Sequence, residues 1–582
     1  MNDTDGGAII ARVLKAHDVQ FLFALCGGHI SPILVGANAS GIKVVDVRDE
    51  VSAVFAADAV ARMTGIVGVA AVTAGPGVTN TVTAVKNAQM AQSPLIVFGG
   101  ATATVLRGRG SLQDIDQLAI MRPITKWATS VKSVGSLEAT VNRAFEVATS
   151  GTPGPVFIEV PVDLLYREEI VREWYMKESG VEGASGLGAK ALKLYLRGHL
   201  YKQFHSPAIP VPGPLPALRV PKRTSASDIE KVAAHIAKAK RPVLVIGSQT
   251  LVNYRDAAPL AKAIERLGIP TFLGGSARGL LGKDSEIQFR HKRTAALKKA
   301  DLVIVTGFPF DFRLGYGRSI SSKATLIAAN LDRTDLRKNR RPEIALEMHP
   351  GRFLEAIAGQ ECGQLSAWAP WFDELREREV ARDTEIAAKA KPDSEKVDPI
   401  YFFLKLEEQM EDKSVLVVDG GDFVATASYI LKPRKPLCWL DPGVFGTLGV
   451  GGGFAVGASL AKPDHQTWLI YGDGSSAYSL AEFDTCVRHG LAPIAVIGTD
   501  GLWGQIARDQ TEILGDDIGT ILNRCDYHKV AEGYGAKGLL LTDSSKIDET
   551  LEEAKALAKA GTPVVINVII ASTDFRKGSM SM

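Results

Sequence analysis

Short apolar runs alternate with amphipathic stretches in the first part of the chain. The runs 44–47, 67–72 and 95–98 predict buried strands, and the stretches 51–63 and 80–92 predict helices between them. Apolar strands separated by helices are typical of a parallel sheet that is covered on both faces. The pattern therefore predicts an α/β domain of the doubly wound kind.

The same alternation occurs again in two later parts of the chain. Strands that end in glycine are predicted at 242–247 and 302–307, and a strand followed by a turn is predicted at 415–422. We therefore expect three doubly wound parallel-sheet domains. The predicted segments are a first α/β domain (1–170), a basic helix with a proline-rich linker (171–225), a central domain (226–360), a charged linker (361–395), a third α/β domain (396–570) and a tail (571–582).

The stretch 468–505 contains the clearest candidate site. An apolar run leads into Gly472-Asp473-Gly474, a helix is predicted at 477–489, and a second apolar run ends in Gly-Thr-Asp-Gly at 498–501. In open α/β sheets, ligands bind at the carboxyl ends of the strands. Both predicted strands therefore end where a ligand would lie.

The residue types at these two strand ends favour a metal-bound diphosphate. Asp473 and Asp500 supply hard oxygen ligands of the kind that Mg²⁺ accepts together with phosphate oxygens. The adjacent glycines expose backbone N–H groups, and the helix after Ser475 adds the positive end of its dipole. On these residues alone, an ordinary βαβ unit with acidic turn residues remains an alternative.

Composition narrows the class of protein without identifying a function. Of the 582 residues, 46% are hydrophobic and 23% are charged, and the formal net charge is only +2. We therefore expect no nucleic-acid partner. The five cysteines are scattered without a CxxC pair, which fits a reducing compartment.

The N-terminal residues predict an amphipathic helix rather than a signal peptide. No apolar run reaches the ~18 residues needed to span a bilayer. From these two observations we expect a cytoplasmic protein.

A basic, aromatic-rich helix is predicted at 187–205, followed by a proline-rich segment at 208–221 that should be extended. The helix either packs on the protein core with its lysines in water, or binds a membrane surface or a partner. We favour the first interpretation, because this is a single helix without a lipidation signal.

The C-terminal motif resembles that of the thiamine-diphosphate-dependent enzymes. In that family Gly-Asp-Gly is followed, at the same distance, by a polar pair that is usually Asn-Asn; here the pair is Thr499-Asp500. Asp500 keeps an oxygen ligand at the position of the metal-binding Asn. The resemblance implies that Mg²⁺ is bound by Asp473, Asp500 and the backbone carbonyl of Leu502.

Three further markers of this family follow one another in the first domain. Glu50 ends a strand and opens a helix, where by itself it would be only a favourable N-terminal charge. The segment 70–80 (AAVTAGPGVTN) is similar to the family's strand, GPG turn and Asn, and 111–117 (SLQDIDQ) is similar to its Gln-containing polar loop. The resemblance covers nearly the whole chain.

The resemblance implies thiamine diphosphate bound between two domains, with the active sites at the subunit interface of a homodimer or homotetramer. Glu50 would hydrogen-bond the pyrimidine of the cofactor and promote formation of its reactive carbanion, and Gln113 would orient the substrate. Leu448 would wedge the cofactor into a bent shape, and Gly446 would accept a bond from its amino group. The other expected cofactor residues are Gly27, Gly28, Thr73, Pro76, Asn80, Gly421, Asp422, Phe423, Gly472, Gly474, Ser475, Trp503 and Gly504.

The predicted central domain lacks a GxGxxG motif. In the resembled family this domain binds FAD in acetolactate synthases and ADP in oxalyl-CoA decarboxylases and 2-hydroxyacyl-CoA lyases. The segment 293–317 is more similar to the lyases, so we expect ADP rather than FAD. We expect Arg293 and Arg313 to pair with nucleotide phosphates of ADP or CoA, together with Asn330 and Asp332; surface charge is the alternative for the arginines.

Within the family, five segments are similar to 2-hydroxyacyl-CoA lyases of the acetolactate-synthase-like type: 26–38, 48–59, 73–94, 417–427 and 440–458. This implies a carbon–carbon lyase that cleaves a 2-hydroxyacyl-CoA to formyl-CoA and an aldehyde one carbon shorter, with acyloin condensation as the reverse reaction. An acetolactate synthase or another decarboxylating enzyme is the first alternative. A non-catalytic nucleotide-binding protein is the second, and the presence of both Glu50 and Asp473 argues against it.

The tail at 571–582 is short, polar and contains Arg576 and Lys577. In CoA-dependent members that this chain resembles, C-terminal segments fold over the active site. We therefore expect a lid whose cations contact the phosphates of the acyl-CoA; a disordered tail is the alternative.

Overall fold

The computed structural model describes residues 5–181, 183, 185–205, 225–360, 365–573 and 575. The described residues before the gap at 206–224 form one compact unit, apart from Arg62–Gly65, and those after it form a second. Within these ranges the strands make three parallel sheets of six strands each. The predicted α/β class with doubly wound parallel sheets is therefore confirmed.

The first unit contains a single sheet. Its strands are β1 (Phe21–Ala24), β2 (Lys43–Asp46), β3 (Gly68–Val72), β4 (Leu95–Ala101), β5 (Trp127–Ser130) and β6 (Val156–Pro161). They lie in the order β2-β1-β3-β4-β6-β5, so β3 and β4 are central, and every residue of both is buried. A central parallel strand is covered on both faces, which explains why these segments are continuously small or apolar.

Helices connect these strands. They are α1 (Gly6–Ala16), α2 (Ser31–Ala39), α3 (Glu50–Thr64), α4 (Pro76–Asn80), α5 (Val82–Ala91), α6 (Gln117–Met121), α7 (Leu137–Thr149), α8 (Glu168–Glu178) and α9 (Leu187–Phe204). The helix predicted at 80–92 thus begins earlier and is divided into α4 and α5. Its early start has a clear cause, since Pro76 occupies the first helical position, where a missing N–H costs nothing.

The basic helix α9 packs on the first unit, as the favoured interpretation requires. It buries Leu196, Leu200 and Gln203, and the amide of Gln203 donates to the buried carboxylate of Asp163 over 2.7 Å. Lys190 and Lys202 are exposed. The remaining face of the helix also exposes the apolar residues Leu187, Leu194 and Tyr201.

The second unit contains two sheets. The strands of the first are β7 (Pro242–Ile246), β8 (Thr271–Leu273), β9 (Gln288–Phe289), β10 (Leu302–Thr306), β11 (Thr325–Asn330) and β12 (Ile344–Glu347). The strands of the second are β13 (Ser414–Asp419), β14 (Trp439–Leu440), β15 (Gln466–Gly472), β16 (Ile494–Thr499), β17 (Lys537–Leu541) and β18 (Val564–Ile569). The orders are β12-β11-β10-β7-β8-β9 and β14-β13-β15-β16-β18-β17.

The helices of this unit pack against the two sheets and build their cores. They are α10 (Ala226–Lys238), α11 (Ala258–Leu267), α12 (Arg293–Lys299), α13 (Pro350–Ala358), α14 (Leu365–Ala388), α15 (Pro399–Gln409), α16 (Asp422–Ile430), α17 (Val450–Ala461), α18 (Asp473–Ser479), α19 (Glu482–His489), α20 (Gly504–Leu514), α21 (Tyr527–Gly533) and α22 (Ile547–Lys559).

Helix α14 occupies most of the segment predicted as a charged linker. Its residues Trp368 and Trp371 are buried, and their indole N–H groups donate to the carbonyls of Ala239 and Pro242 over 2.9 and 3.0 Å. This stretch is therefore attached to the central sheet through two buried aromatic residues that the charge pattern of the sequence obscured.

The helix predicted at 477–489 begins at Asp473 and is interrupted between α18 and α19. The start is favoured by Asp473 itself, because an acidic residue in the first turn suits the positive end of the helix dipole; its carboxylate also accepts the N–H of Gly474 over 2.8 Å. Strand β15 therefore passes directly into a helix, and Asp473 lies at the junction.

In the described ranges, no helix combines the length and the apolar character needed to cross a membrane. Arg576 and Lys577 of the predicted lid lie outside the described residues. The ring of Phe575, just before them, packs edge-on against Tyr429 with ring centres 5.8 Å apart.

Candidate cofactor site

Glu50 opens α3 directly after β2 and is almost fully buried, with 7% of its surface exposed. The side-chain amide of Asn80 donates to its Oε2 over 3.1 Å. A side chain at Gly77 would begin 3.4 Å from Oε1, so the glycine keeps the approach to this second oxygen open. The predicted residues Glu50, Pro76 and Asn80 therefore come together at the GPG turn.

Gln113 lies against the same turn. It has a left-handed backbone with φ of 64°, which is uncommon for a residue with a side chain. A Cβ on Gly75, which itself has φ of 62°, would lie 2.9 Å from both the Cβ and the carbonyl oxygen of Gln113. Only glycine fits this contact, so the loop that carries Gln113 is packed directly on the GPG turn.

Two glutamines of the polar loop have different roles. Gln117 is buried, and its amide oxygen accepts the N–H of Gly75 over 2.9 Å while its amide nitrogen donates to Gly100 and Glu159. Gln113 is only half-buried. Gln117 therefore serves structure, and Gln113 is the glutamine whose side chain is accessible to a ligand.

His29 is a candidate that the sequence analysis missed. Its Nδ1 lies 3.2 Å from Oγ1 of Thr73, and burial lowers the pKa of the imidazole. A Cβ on Gly27 would lie 2.4 Å from Cβ of Thr73, whereas Gly28 has open space around it. The histidine belongs to the CGGHIS segment after β1, from which only the glycines were predicted as cofactor residues.

Asp473 and Asp500 follow the neighbouring strands β15 and β16, whose registers pair Gly472 with Gly498. The carboxylate of Asp473 accepts the N–H of Gly501 over 2.8 Å, and that of Asp500 accepts the N–H of Leu502 over 3.0 Å. Asp473 therefore anchors the turn that carries Asp500, and Asp500 bonds to Leu502 within that turn.

The electrostatics of this pair favour a cation. Burial raises the pKa of Asp473, and burial together with the charge of Asp473 raises the pKa of Asp500 to about 6. Two buried carboxylates that disfavour each other's charge are stabilised when a divalent cation lies between them. The residues present, two carboxylates and the nearby Leu502 carbonyl, fit Mg²⁺.

Other residues predicted to bind the cofactor lie close to Asp473 and Asp500. A Cβ on Gly474 would lie 2.5 Å from the Trp503 ring, and one on Gly504 would lie 3.3 Å from Oδ2 of Asp500. The buried hydroxyl of Ser475 donates to the carbonyl of Asp419 over 2.6 Å, so this side chain ties two strand ends together.

The segment 421–423 begins α16. Asp422 forms an ion pair with Arg508. A Cβ on Gly421 would lie 3.5 Å from the side-chain oxygen of Gln505. Phe423 is buried in the hydrophobic core, with its ring centre 4.5 Å from that of Phe403. The phenylalanine side chain thus supports the sheet.

Gly446 and Leu448 lie in the loop before α17. Gly446 is exposed and has φ of 65°, and Leu448 is partly exposed. The loop is fixed at its end by Asp419, whose carboxylate accepts the N–H groups of Gly449 and Gly451 over 3.0 and 2.8 Å. Burial raises the pKa of Asp419 to about 7, against the effect of these two backbone donors.

A separate cavity of about 880 Å³ lies in the second unit. Lys292, Arg293, Lys298 and Arg382 line it, and none of the described residues in its lining is acidic, which favours an anionic ligand. Arg278 and Arg290 also line it. Arg290 donates to backbone carbonyls of residues 428–431 at the end of α16, so this arginine also caps that helix.

Of the four residues predicted to bind a nucleotide, only Arg293 lines this cavity. Arg313 lies beside it, since Arg293 donates to the Arg313 carbonyl over 2.6 Å, and the Arg313 guanidinium is paired with Asp311. Asn330 is the last residue of β11 and Asp332 lies in the turn after it, and both side chains accept N–H groups of that turn.

The sequence matches three family profiles. Residues 4–120 match "Thiamine pyrophosphate enzyme, N-terminal TPP binding domain", residues 229–357 match "Thiamine pyrophosphate enzyme, central domain", and residues 419–568 match "Thiamine pyrophosphate enzyme, C-terminal TPP binding domain". The first of these ranges contains Glu50 and Gln113, and the last contains Asp473 and Asp500.

Curated relatives extend over almost the entire chain. It is 46% identical to 2-hydroxyacyl-CoA lyase 2 of Danio rerio, covering 99% of this chain and 93% of the relative. Identity to 2-hydroxyacyl-CoA lyase 2 of Homo sapiens is also 46%, over 99% and 92%. Identity to an acetolactate synthase large subunit of Mycobacterium tuberculosis is 33%, over 97% and 95%.

Proposed function

The chain belongs to the thiamine pyrophosphate enzyme family, and we propose that it is a 2-hydroxyacyl-CoA lyase. The proposed reaction cleaves a 2-hydroxyacyl-CoA to formyl-CoA and an aldehyde one carbon shorter. The observation that carries it is the buried Glu50 at the GPG turn in a chain that is 46% identical to named lyases over 99% of its length.

The reaction requires one bond to break and one proton to move. The C1–C2 bond is cleaved, the 2-hydroxyl group loses its proton as the aldehyde forms, and C1 gains a proton to become the formyl group. When bound, thiamine diphosphate supplies the nucleophilic carbon and accepts the electron pair of the broken bond. The protein must bind and orient both molecules and must handle the protons.

Glu50 and Asn80 are placed to bind the pyrimidine end of the cofactor. The Asn80 amide holds one carboxylate oxygen, and the glycine at position 77 leaves room beside the other. A buried carboxylate at this position donates or accepts a proton on the pyrimidine without competition from water. Asp473, Asp500 and the Leu502 carbonyl would hold Mg²⁺ and, through it, the diphosphate.

Gln113 and His29 are the residues proposed to act on the substrate. The amide of Gln113 does not ionise, so its role is to hydrogen-bond and orient the substrate. His29 is different, because burial lowers its pKa and so keeps it neutral near pH 7. A neutral imidazole can accept the proton of the 2-hydroxyl group and return one to C1.

We propose that two copies of the chain share each cofactor. Glu50 would come from one copy and the Asp473–Asp500 pair from the other, giving a homodimer or a dimer of dimers. Exposed apolar residues near both sets of residues support such an interface: Leu112 beside Gln113 is 82% exposed, and Ile518 beyond α20 is 79% exposed.

The cation-lined cavity is proposed to bind ADP. Its size is sufficient for a nucleotide, and Lys292, Arg293 and Lys298 supply charges for the phosphates. The ring of Phe575 contacts Tyr429 of the cavity lining. Arg576 and Lys577, which lie outside the described residues, remain proposed as lid residues that contact the phosphates of the acyl-CoA.

A second candidate function is acetolactate synthesis, favoured by the 33% identity to an acetolactate synthase. A 2-hydroxyacyl-CoA labelled with ¹³C at C1 separates the two. The lyase should deliver the label to the formyl group of formyl-CoA, observed by mass spectrometry. Recovery of the label only in unreacted substrate, with acetolactate formed from pyruvate in a parallel sample, would replace the lyase proposal with the second function.

A further inference from the structure

Glu159 lies under the loop that carries Gln113. It belongs to the buried strand β6, where it pairs in register with Gly99 of β4 and Ser130 of β5, and only 3% of its surface is exposed. A buried carboxylate in a central part of a sheet is costly unless it is bonded to several donors. The groups that donate hydrogen bonds to Glu159 therefore indicate its role.

Both ends of the Gln113 loop bond to this one carboxylate. Arg107 forms an ion pair with Oε1 of Glu159, and the side-chain amide of Gln117 donates to Oε2 over 3.0 Å. Between these two residues the loop contains no helix or strand. Gln113 lies within this clamped segment and has the left-handed backbone described above.

The same carboxylate is connected to the GPG turn. Gln117, held by Glu159, accepts the N–H of Gly75 over 2.9 Å, and Gly75 is in direct contact with the backbone of Gln113. One carboxylate thus fixes the position of Gln113 relative to the turn beside Glu50. Since a left-handed backbone is strained for a residue with a side chain, it persists only where its surroundings hold it.

We propose that Glu159 is a positioning residue, which through Arg107 and Gln117 holds Gln113 in the orientation needed to contact the substrate. This rests on the proposed function for the role of Gln113, but the clamp itself is a property of the fold. Glu159 is buried, and its two carboxylate oxygens are bonded to Arg107 and Gln117.

The structural part is tested by hydrogen exchange in Glu159→Gln, which keeps the size of the side chain and removes its charge. The reporters are the amides of Gly108, Arg109 and Asp114, which bond within the loop, and that of Gly75, which bonds to Gln117. Their exchange should rise by about tenfold or more, whereas Glu138→Gln, at an exposed position, should leave it unchanged. Unchanged loop exchange in Glu159→Gln overturns the proposal, whatever reaction the enzyme catalyses.

Arg107→Met provides a second variant in case Glu159→Gln does not fold. It removes one arm of the clamp at a residue that is partly exposed and so tolerant of substitution. Loop exchange should rise here as well, while the variant still unfolds in one cooperative transition. Loss of the fold in Glu159→Gln combined with unchanged exchange in Arg107→Met contradicts the clamp.

The functional part is tested by a double-mutant cycle. Glu159→Gln should lower kcat by about tenfold to a hundredfold and leave the concentration of thiamine diphosphate at half-saturation unchanged. In Gln113→Ala the added Glu159→Gln should cause little further loss, because both changes remove the same contact. If the two changes lower kcat independently, so that their fold-losses multiply, Glu159 only stabilises the fold and the positioning role is contradicted.

Discussion

At the scale of single residues, buried carboxylates explain most of the proposed chemistry. Glu50 and Asp473 are 7% and 3% exposed, and each is bonded to groups that fix its direction. Burial of an ionisable group without a matching partner costs free energy. We propose that a ligand completes each of them, the pyrimidine for Glu50 and the metal ion for Asp473.

The first prediction is that Glu50→Gln lowers turnover by about 10²- to 10⁴-fold while thiamine diphosphate still binds. The amide keeps the shape but cannot exchange a proton with the pyrimidine. Steady-state kinetics and calorimetry of cofactor binding measure the two effects, with the exposed Glu138→Gln as the matched control. Near-normal turnover in Glu50→Gln would refute the role given to this residue.

The second prediction is that Asp473→Ala abolishes binding of Mg²⁺ and thiamine diphosphate together, because the ion joins the diphosphate to the protein. Titration calorimetry with each component checks this. Asp464→Ala is the control, since Asp464 is exposed and pairs with Lys413. If Asp473→Ala binds the cofactor normally, Asp473 is only a turn residue.

At the scale of secondary-structure elements, the site depends on where strands end and helices begin. Glu50, Asp422 and Asp473 are each the first residue of a helix that follows a strand or its turn. Asp419, the last residue of β13, holds the start of α17 through two backbone N–H groups. The loop of Gly446 and Leu448 immediately precedes that start.

The third prediction concerns pH and this helix start. Burial raises the pKa of Asp419 to about 7 from an unfolded value near 3.9. The folded protein therefore holds a proton that the unfolded chain releases, so the stability contributed is present below pH ~4 and is lost as pH rises through 7. Asp419→Asn has no such titration. Between pH 5 and 7 its free energy of unfolding should therefore fall by about 2 kcal/mol less than that of the parent protein.

Urea unfolding at the two pH values measures this difference. Asp526→Asn is the control, because the hydrogen bond to Lys529 lowers the pKa of the exposed Asp526, which therefore does not titrate in this range. Parallel pH dependence of the parent and Asp419→Asn would show that the Asp419 carboxylate is ionised throughout.

At the scale of the whole molecule, the arrangement of strands and the residues at their ends were predictable from the sequence. Strands such as Leu302–Thr306 are continuous apolar runs bounded by glycine, so period and composition locate them within one or two residues. Glu50 and Asp473 could be named because each follows such a run. Their approach to Gly77 and Gly501 depends on tertiary packing and was not visible.

Other features of the site could not be read from the pattern. Gln113 and Gln117 are four residues apart in one polar loop, and only burial shows that Gln117 is structural. His29 is one polar residue in a glycine-rich turn. The cations of the cavity come from the segment after β9, from α12 and from α14, among other parts of the chain, and only the fold brings these together. The sequence therefore did not show that Arg313, Asn330 and Asp332 lie outside the cavity lining.

The fourth prediction is that the purified protein is colourless and binds ADP. The cavity presents Lys292, Arg293 and Lys298 to the phosphates, which a nucleoside diphosphate satisfies without an isoalloxazine ring. Absorbance of the purified protein and calorimetry with ADP check the two parts. Arg293→Met should weaken ADP binding, with the exposed Lys537→Met as the control. A flavin absorption band would contradict the assignment.

The measurement that tests the central claim most directly is a comparison of kcat/KM for two substrates on the same enzyme with Mg²⁺ and thiamine diphosphate. One sample receives a 2-hydroxyacyl-CoA and is analysed for formyl-CoA and the shortened aldehyde; the other receives pyruvate and is analysed for acetolactate. We predict that the two lyase products form in equal amounts and that kcat/KM is at least about a hundredfold higher for the acyl-CoA, a difference of ~2.7 kcal/mol in transition-state stabilisation. A higher kcat/KM for pyruvate, with acetolactate as the product, would contradict it.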